Sequence, residues 1–350
     1  MFLAALAAVT KQVRFHDAAT ALQQPFEALL EESSPSSPEA WPSIGACGGV
    51  GSVVYALATA GRLLGDSNWT ELALRWAALI TPARIRNDTQ LDVVGGTAGA
   101  LLGLLSFGDD ARASWLDERV RQCARRLLDA HVATGEESAA WPSRNGGMLT
   151  GFAHGAAGIA YALSRACAVT GDVEVEMMVR RAHHHERRIF SSALRNWPAD
   201  QQGSAALMTA WCYGAPGIGL ARALEPDVFR DDVLLGEVRV AMETTAAASP
   251  NRVDHLCCGN MGRSEALLTV GTRFGETEVV ASGRAIAGRL AESVCAQGGF
   301  GARTEGFEHR TFHPGFFRGL AGIGYQLLRT AAPSLLPSVL AFEPAVRAAP

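Results

Sequence analysis

Apolar and polar residues along this chain define two kinds of helical run that follow one another. In the segment from Gly155, small apolar residues continue to about Val169, a turn follows at residues 170–172, and a charged amphipathic run extends to about Phe190. A helix that is apolar on most faces is usually buried, whereas a helix with one polar face lies at a surface. The pattern therefore predicts an inner helix followed by an outer helix.

A Gly-x-x-Gly motif precedes each apolar run and recurs along the chain. One such motif is a weak indication of structure. Six of them at intervals of 45 to 60 residues, each followed by an apolar helical pattern, indicate an internal repeat. We expect the first glycine to allow a sharp turn and the second to allow a close approach of helices. The motifs begin at Gly48, Gly96, Gly155, Gly214, Gly259 and Gly319.

Inner helices of equal polarity that pack side by side form a ring, and their N-terminal loops then meet at one end of the ring near its axis. We therefore predict an all-α fold, an α/α toroid (barrel) of about seven helix pairs. Such a ring brings together chemically reactive residues that are far apart in the sequence, namely Asp92, His154, Cys212, Tyr213, Cys257 and Cys258.

The first residues of the chain lack their own Gly-x-x-Gly motif, and residues 1 to about 32 are predicted to form a helix pair. Residues 1–10 resemble a signal peptide in composition, but they lack a basic start and their apolar run is short, so a buried helix is the better interpretation. No stretch of the chain reaches the ~18 apolar residues of a membrane span.

Two outer helices and three long loops complete the predicted repeats. The outer helices are expected near residues 69–80 and 115–131. Polar loops at residues 136–150, 196–203 and 297–314 precede later repeats, and we expect them at the mouth of the ring, where a substrate would be held.

Composition narrows the class of protein. A length of 350 residues suggests about two domains, but the repeat favours a single domain over residues 1–350. An apolar content of 48% and a charged content of 19% are typical of a soluble globular protein, and a net charge of −4 gives no indication of a nucleic-acid partner. Seven cysteines do not form the framework of a disulfide-rich domain, so we expect a reducing, cytoplasmic location.

Three cysteines are candidate zinc ligands. Cys212 and the adjacent pair Cys257 and Cys258 lie just before or next to the glycine of their repeats, and thiolates are soft ligands suited to zinc. Three protein ligands without an obvious fourth are typical of a catalytic site with one open position, although His255 is a candidate fourth ligand. The alternative is three buried structural cysteines, and their shared place in the repeat makes it the weaker interpretation.

Three further residues are candidates for acid–base chemistry. His154 lies directly before Gly155, and histidine titrates near neutral pH. Tyr213 is a candidate proton donor, and Asp92 either orients a histidine or caps a turn. The run His183-His184-His185 cannot face one metal from a helix, so we expect a solvated face there. The remaining cysteines, Cys47, Cys123, Cys167 and Cys295, are expected in the core, although Cys47 lies in a loop that precedes a motif glycine.

These motifs resemble the lanthionine synthetase C-like family, and most closely the C-terminal cyclase domain of class II lanthipeptide synthetases. The resemblance implies an α/α toroid of seven helix pairs with zinc on Cys212, Cys257 and Cys258. It also implies His154 as the catalytic acid–base group, with Asp92 and Tyr213 beside it. The matching stretches are residues 92–99, 151–158, 208–217, 256–260 and 314–325.

The chain departs from this family in four ways. Many members have Cys-His-Gly where this chain has Cys257-Cys258-Gly259, which indicates a three-cysteine branch. Some carry an arginine where this chain has Met208. The first Gly-x-x-Gly is missing, so we expect a first repeat that is truncated at the N-terminus. The dehydratase half of a class II enzyme is also missing, and we therefore expect either a fragment or a stand-alone remnant.

The family resemblance implies intramolecular addition of a peptide cysteine thiolate to dehydroalanine or dehydrobutyrine, which forms a thioether ring. The implied partners are a dehydrated, ribosomally made precursor peptide and a separate dehydratase domain or protein. Two alternatives remain open at this stage. One is a catalytically impaired remnant that still binds peptides. The other is a different thiol-activating zinc toroid, for example a prenyl- or glutathione-transferring enzyme.

Overall fold

The computed structural model describes residues 1–32, 41–108, 113–200, 207–296 and 313–345. In these ranges helices dominate, and the single short hairpin consists of β1 (Val132–Gly135) and β2 (Ser138–Ala140). The helices, in chain order, are α1 (Phe2–Thr10), α2 (Val13–Thr20), α3 (Gln23–Glu32), α4 (Val50–Leu64), α5 (Ser67–Ala77), α6 (Pro82–Asn87), α7 (Thr97–Leu104), α8 (Ser114–Ala130), α9 (Ala156–Thr170), α10 (Val173–Ile189), α11 (Ala215–Leu224), α12 (Asp232–Ala247), α13 (Asn260–Phe274), α14 (Thr277–Ala296) and α15 (Leu320–Ala331).

Seven of these helices form a closed inner ring. Each of α1, α4, α7, α9, α11, α13 and α15 packs against the next in this order, and α15 packs back against α1. Because an inner helix has neighbours on most of its sides, its faces must be small and apolar; in α7, for example, every residue is buried. The predicted all-α toroid is confirmed.

Six outer helices surround the ring. Each of α2, α5, α8, α10, α12 and α14 packs against the inner helix that precedes it. In α8 the buried residues recur at helical spacing, including Leu116, Val120, Cys123, Leu127 and Leu128, and the opposite face is charged. The predicted alternation of apolar inner helices and amphipathic outer helices is therefore confirmed, and α5 and α8 lie close to the ranges expected from the sequence.

Two predicted segments differ from the structure. Residues 1–32 form three helices rather than a pair, with α1 in the ring between α4 and α15 and with buried alanines along it, which fits the predicted buried helix. The loop expected at residues 136–150 lies partly in the β-hairpin, which packs on α10. The loop expected at residues 297–314 lies almost entirely outside the described residues. No described helix is long and apolar enough to cross a membrane.

The histidine run at residues 183–185 is not a solvated face, so that prediction is wrong. His183 is 4% exposed and His185 is 0% exposed, because α10 packs against α9 on one side and the hairpin on another. His183 Nε2 lies 3.0 Å from a Glu225 carboxylate oxygen, and His185 Nδ1 lies 2.9 Å from the Thr134 hydroxyl. His184 alone of the three is exposed.

The described chain after α15, residues 332–345, does not form an outer helix but turns into the centre of the ring. Leu336, Val339, Leu340, Ala341 and Phe342 are all buried there. Three tyrosines, each the sixth residue of its inner helix, donate hydrogen bonds to backbone carbonyls of this C-terminal segment. They are Tyr55 to Glu343 at 3.0 Å, Tyr161 to Ala341 at 2.9 Å and Tyr325 to Pro337 at 2.9 Å.

Candidate active site

Backbone hydrogen bonds join the loops that precede the inner helices, at equivalent positions two residues before the motif glycine. The N–H groups of Val94 and Ala153 donate to the carbonyls of Ala153 and Cys212, each at 3.3 Å, and the N–H of Cys257 donates to the carbonyl of Phe317 at 2.9 Å. These contacts place the loops side by side around one end of the ring. The structure therefore brings together loops that are widely separated in the sequence.

The second glycine of each motif is required by its own loop. At Gly217 a Cβ atom would lie 2.0 Å from the carbonyl oxygen of Trp211, and at Gly262 it would lie 2.0 Å from that of Leu256. A Cβ atom cannot lie this close to an oxygen atom, so only glycine fits at these positions. The approach is this close because the loop folds back onto the first turn of the helix that follows it. Close helix packing, as expected, also contributes where α4 meets α7, because a Cβ atom at Gly51 would lie 3.0 Å from the carbonyl oxygen of Gly99.

Three cysteine thiols from two loops form a cluster at this end of the ring. The Sγ atoms of Cys212 and Cys258 are 3.1 Å apart, and those of Cys257 and Cys258 are 3.4 Å apart. All three sulfurs lie within 4.8 Å of one another. Among the described residues, no other group of three or more potential ligand atoms is close enough together to hold a metal ion. Cys212 is buried and the other two are half-buried, so the cluster is open on one side.

The three clustered thiols shift one another's pKa values. Hydrogen bonds with Cys212 and Cys257 lower the pKa of Cys258 far below its usual range, and the charges of His255 and Arg318 lower it further. The corresponding hydrogen bonds raise the pKa of Cys212, and burial adds to this rise. The Cys258 sulfur is thus in hydrogen-bond contact with both of the other two sulfurs.

His255 does not join the three sulfurs. It is buried, and its Nδ1 accepts the backbone N–H of Cys258 at 3.3 Å. Among the described residues, its ring nitrogens lie outside the group of ligand atoms within 4.8 Å of one another. We conclude that His255 supports the Cys258 loop and is not placed as a fourth ligand.

A histidine and a carboxylate pair beside the cysteine cluster. His154 Nδ1 lies 2.7 Å from Asp92 Oδ2, and Asp92 Oδ1 accepts the backbone N–H of Gly95 at 2.8 Å. The side chain of His154 is 36% exposed. A carboxylate partner at Nδ1 favours the tautomer with its proton on that nitrogen and leaves Nε2 as the basic atom.

Tyr213 links this pair to the cysteines. Its ring stacks on that of His154 with centroids 5.9 Å apart, and Tyr213 directly follows Cys212. Burial and the nearby Cys212 and Asp92 raise the pKa of Tyr213 to about 12. Its hydroxyl is therefore protonated at neutral pH and can donate a hydrogen bond. All six residues predicted from the sequence thus lie at the same end of the ring.

Two buried side chains that the sequence did not reveal hold the site loops in place. Glu186 Oε1, on α10, accepts the N–H groups of Gly151 and Ala157 at 3.0 and 3.1 Å, on both sides of His154. Asn196 accepts the N–H of Ala215 at 2.8 Å and donates to the carbonyl of Met208, on both sides of Cys212. No local pattern indicates either role, because each side chain acts on a loop outside its own segment.

The position directly before the first motif glycine supplies most of the reactive groups. Two residues at this position, Cys47 and Arg318, were not predicted from the sequence to lie in the site. Cys47 was expected in the core but is half-buried, and burial together with the nearby Cys257 and Asp92 raises its pKa. Arg318 is exposed and close enough to contribute to the lowered pKa of Cys258. Aligning all six motifs by this position would have found both. Of the other cysteines expected in the core, Cys123 is buried, Cys167 is half-buried and Cys295 is exposed.

The chain is similar to known proteins in sequence and in fold. The sequence model of the family described as "Lanthionine synthetase C-like protein" matches residues 1–341. The fold is similar to that of a nisin cyclase, with a TM-score of 0.70, 14% sequence identity and coverage of 97% of this chain and 88% of that chain. It is also similar to a sugar epimerase from a ruminal bacterium, with a TM-score of 0.53, 10% identity and coverage of 80% and 86%. At these identities the two structures show a shared fold alone. No curated protein matches significantly.

Proposed function

Because this chain belongs to the lanthionine synthetase C-like family, we propose that it is a zinc-dependent lanthipeptide cyclase. Its reaction would be the intramolecular addition of a cysteine thiol of a peptide to a dehydroalanine or dehydrobutyrine of the same peptide. The observation that carries this proposal is the cluster of three thiols within 4.8 Å next to the His154–Asp92 pair. Activation of a thiol requires a metal site with soft ligands, and the proton transfer that follows requires an oriented acid–base group beside it.

Cys212, Cys257 and Cys258 are the residues that would hold zinc. Thiolates around a tetrahedral zinc ion lie about 3.8 Å apart, given Zn–S bonds of about 2.3 Å. The observed separations of 3.1 and 3.4 Å need to open only slightly to meet this geometry. When bound, zinc supplies Lewis acidity that lowers the pKa of a substrate thiol, so that the thiol reacts as a thiolate at neutral pH.

His154 is proposed as the group that moves the proton. The peptide sulfur forms a bond to the β-carbon of the dehydro residue, and the π electrons of the double bond move to give an enolate. The α-carbon then needs a proton, which the His154 imidazolium donates from Nε2. The ring regains a proton from the next substrate thiol, so the reaction consumes no proton overall. Asp92 holds the ring in one orientation and stabilises its charged form.

Tyr213 is proposed as a second donor at the same place. Its hydroxyl stays protonated at neutral pH, because its pKa is raised to about 12 by burial, Cys212 and Asp92. A hydrogen bond from this hydroxyl would stabilise the negative charge that develops on the enolate. Tyr213 also stacks on His154 and limits the movement of that ring.

The proposed reaction starts from a peptide that already contains dehydro residues. The proposed partners are therefore a dehydrated precursor peptide and a separate dehydratase. The resemblance to the cyclase domain of class II enzymes rests on the stretches at residues 92–99, 151–158, 208–217, 256–260 and 314–325. Assignment to the three-cysteine branch rests on the motif at residues 257–259, and both are part of this proposal.

One experiment separates the proposed function from its alternatives. The purified chain is analysed for zinc and incubated with a peptide that carries one cysteine and one dehydroalanine; alkylation followed by mass spectrometry counts the free thiols that remain. Loss of the free thiol with the chain, but not with a Cys258→Ala variant, supports the cyclase. Bound zinc without turnover indicates a peptide-binding remnant. In a parallel incubation with an added prenyl diphosphate, transfer of the prenyl group to the thiol with release of diphosphate, instead of ring closure, indicates another thiol-activating enzyme.

A further inference from the structure

The C-terminal segment, residues 332–345, forms a compact turn inside the ring. The N–H of Glu343 donates to the carbonyl of Ser338 at 3.1 Å, and the Glu343 carboxylate accepts the N–H of Ser338 at 3.0 Å. Phe342 adopts a left-handed backbone conformation with φ of 52°, which is unusual for a residue with a side chain. Reciprocal hydrogen bonds of this kind give the segment one defined shape, with the Leu340 carbonyl and the Phe342 ring at its tip.

The first contact of this tip reaches the loop of Cys212. The indole Nε1–H of Trp211 donates to the Leu340 carbonyl at 3.1 Å, and Trp211 directly precedes Cys212. Trp211 is 1% exposed, so this hydrogen bond has no competition from solvent. The position of the Cys212 backbone is thereby tied to that of the C-terminal segment.

The second contact reaches the loop of Cys257 and Cys258. The ring of Phe317 stacks on Trp211 with centroids 5.9 Å apart and lies against Phe342 with centroids 6.2 Å apart. The carbonyl of the same Phe317 accepts the N–H of Cys257 at 2.9 Å. A three-ring stack thus connects the tip of the segment to both loops that carry the thiols.

Helices α11 and α13, which follow the two thiol-bearing loops, pack against each other, whereas the direct contacts between the loops themselves are made by side chains. In the part of the chain that the structure describes, no backbone hydrogen bond runs directly from residues 207–214 to residues 249–259. Arg263 joins them through the carbonyls of Thr209 and Ser249, but these atoms lie three or more residues from the nearest thiol. The contacts of the C-terminal segment act on the residue next to Cys212 and on the N–H of Cys257 itself.

We propose that the C-terminal segment sets the separation of the Cys212 and Cys257–Cys258 loops, with Trp211 and Phe317 as positioning residues for the metal site. This inference rests on the proposed function, because it concerns the same three thiols. Outer partners of metal ligands fix ligand orientation, and their loss commonly lowers metal affinity by about 10–100-fold. The C-terminal segment fills this role from the centre of the ring.

The test uses Co²⁺ binding by the full-length metal-free protein, followed through the absorption of the cobalt–thiolate bonds. Trp211→Phe removes the hydrogen bond to Leu340 and keeps an aromatic ring, and Phe342→Leu removes one ring of the stack and keeps apolar volume. Tyr325→Phe is the matched control, because it removes a buried hydrogen bond to the same segment, at Pro337, away from the thiols. Thermal melting of every variant measures the general cost of each change.

We expect the Co²⁺ dissociation constant to rise about tenfold or more in Trp211→Phe and Phe342→Leu, and to stay within about twofold in Tyr325→Phe. We also expect the absorption spectrum to change in the first two variants alone. Equal affinities in all four proteins would overturn the positioning role, as would equal weakening in all three variants. If Trp211→Phe does not fold, the Co²⁺ dissociation constants of Phe342→Leu and Tyr325→Phe are compared instead, and equal values would overturn the positioning role. Failure of the unmodified chain to bind Co²⁺ or Zn²⁺ would instead overturn the proposed metal site.

Discussion

His154 Nδ1 and Asp92 Oδ2 lie 2.7 Å apart although 62 residues separate them in the sequence. The contact exists because the loops before α7 and α9 are adjacent in the ring and are joined by the backbone hydrogen bond from Val94 to Ala153. The inner ring therefore brings these two side chains into contact, as a short sequence motif does for catalytic pairs in other proteins. The same adjacency places Tyr213 against His154 and the thiol cluster next to both.

Metal content is the first prediction. The chain should bind about one zinc ion, and Cys212→Ala, Cys257→Ala and Cys258→Ala should each lower the bound amount, since each removes one thiolate ligand. Metal analysis after dialysis provides the measurement. Cys123→Ala is the control, because Cys123 is buried in α8 outside the cluster. Full zinc occupancy in a chain that lacks two of the three clustered cysteines would contradict the assignment.

The second prediction concerns proton transfer. His154→Ala should keep the fold and the zinc but slow ring closure by roughly 10²–10⁴-fold, the usual contribution of a general acid–base group. Asp92→Asn should slow it less, because the amide still reaches the ring but no longer stabilises the imidazolium. The measurement is the rate at which free thiols disappear from a dehydrated peptide. An unchanged rate in His154→Ala would exclude this histidine from the mechanism.

A third prediction tests the anchor of the His154 loop. Glu186 is buried and pairs with Arg222 at 3.3 Å while it accepts two loop N–H groups. Glu186→Gln should lower the free energy of unfolding by about 1–3 kcal/mol, because a charged partner is lost in the interior. Glu243→Gln is the control, since Glu243 pairs with Arg195 at the exposed surface and should change stability by less than about 1 kcal/mol. Urea unfolding measures both, and equal effects would show that Glu186 has no special role.

The fourth prediction concerns the electrostatics of the thiol cluster. Hydrogen bonds with Cys212 and Cys257 lower the pKa of Cys258, and the positive charge of Arg318 contributes. Arg318→Gln should therefore raise the apparent pKa of the most reactive thiol in the metal-free protein, and Arg318→Lys should restore it. The rate of iodoacetamide alkylation as a function of pH gives this value. If Arg318→Gln and the unmodified chain titrate identically, Arg318 does not act on the cluster.

The fifth prediction concerns stability and pH. Burial, with a contribution from the charge of Arg188, lowers the pKa of His185 from 6.5 to about 4. Between these values the unfolded chain binds a proton that the folded chain does not, so the free energy of unfolding should decrease as the pH falls from 6.5 towards 4. His185→Asn should weaken this dependence, whereas His184→Asn, at an exposed position, should not. Unfolding curves at several pH values in this range provide the measurement.

The sequence alone predicted the alternation of inner and outer helices from α4 to α14, and it also predicted the candidate thiols. Spacing of apolar residues and glycines is a local property, and it predicted the inner helices α4, α7, α9, α11 and α13 and the exposed faces of the outer helices. Because the motifs repeat, a residue at one position of a loop could be compared with its equivalents in other loops. That comparison pointed to Cys212, Cys257, Cys258 and His154 before any contact was known.

Only the tertiary structure revealed how these groups are held. The pairing of His154 with Asp92, the hydrogen bonds from Glu186 and Asn196 to the site loops, and the burial of His183 and His185 all depend on contacts between elements distant in the sequence. The C-terminal segment shows this most clearly, because residues 332–345 carry no repeat motif, yet they fill the ring and contact both thiol-bearing loops. A local pattern reports the environment of one helix or loop, whereas these contacts are set by which elements the closed ring makes neighbours.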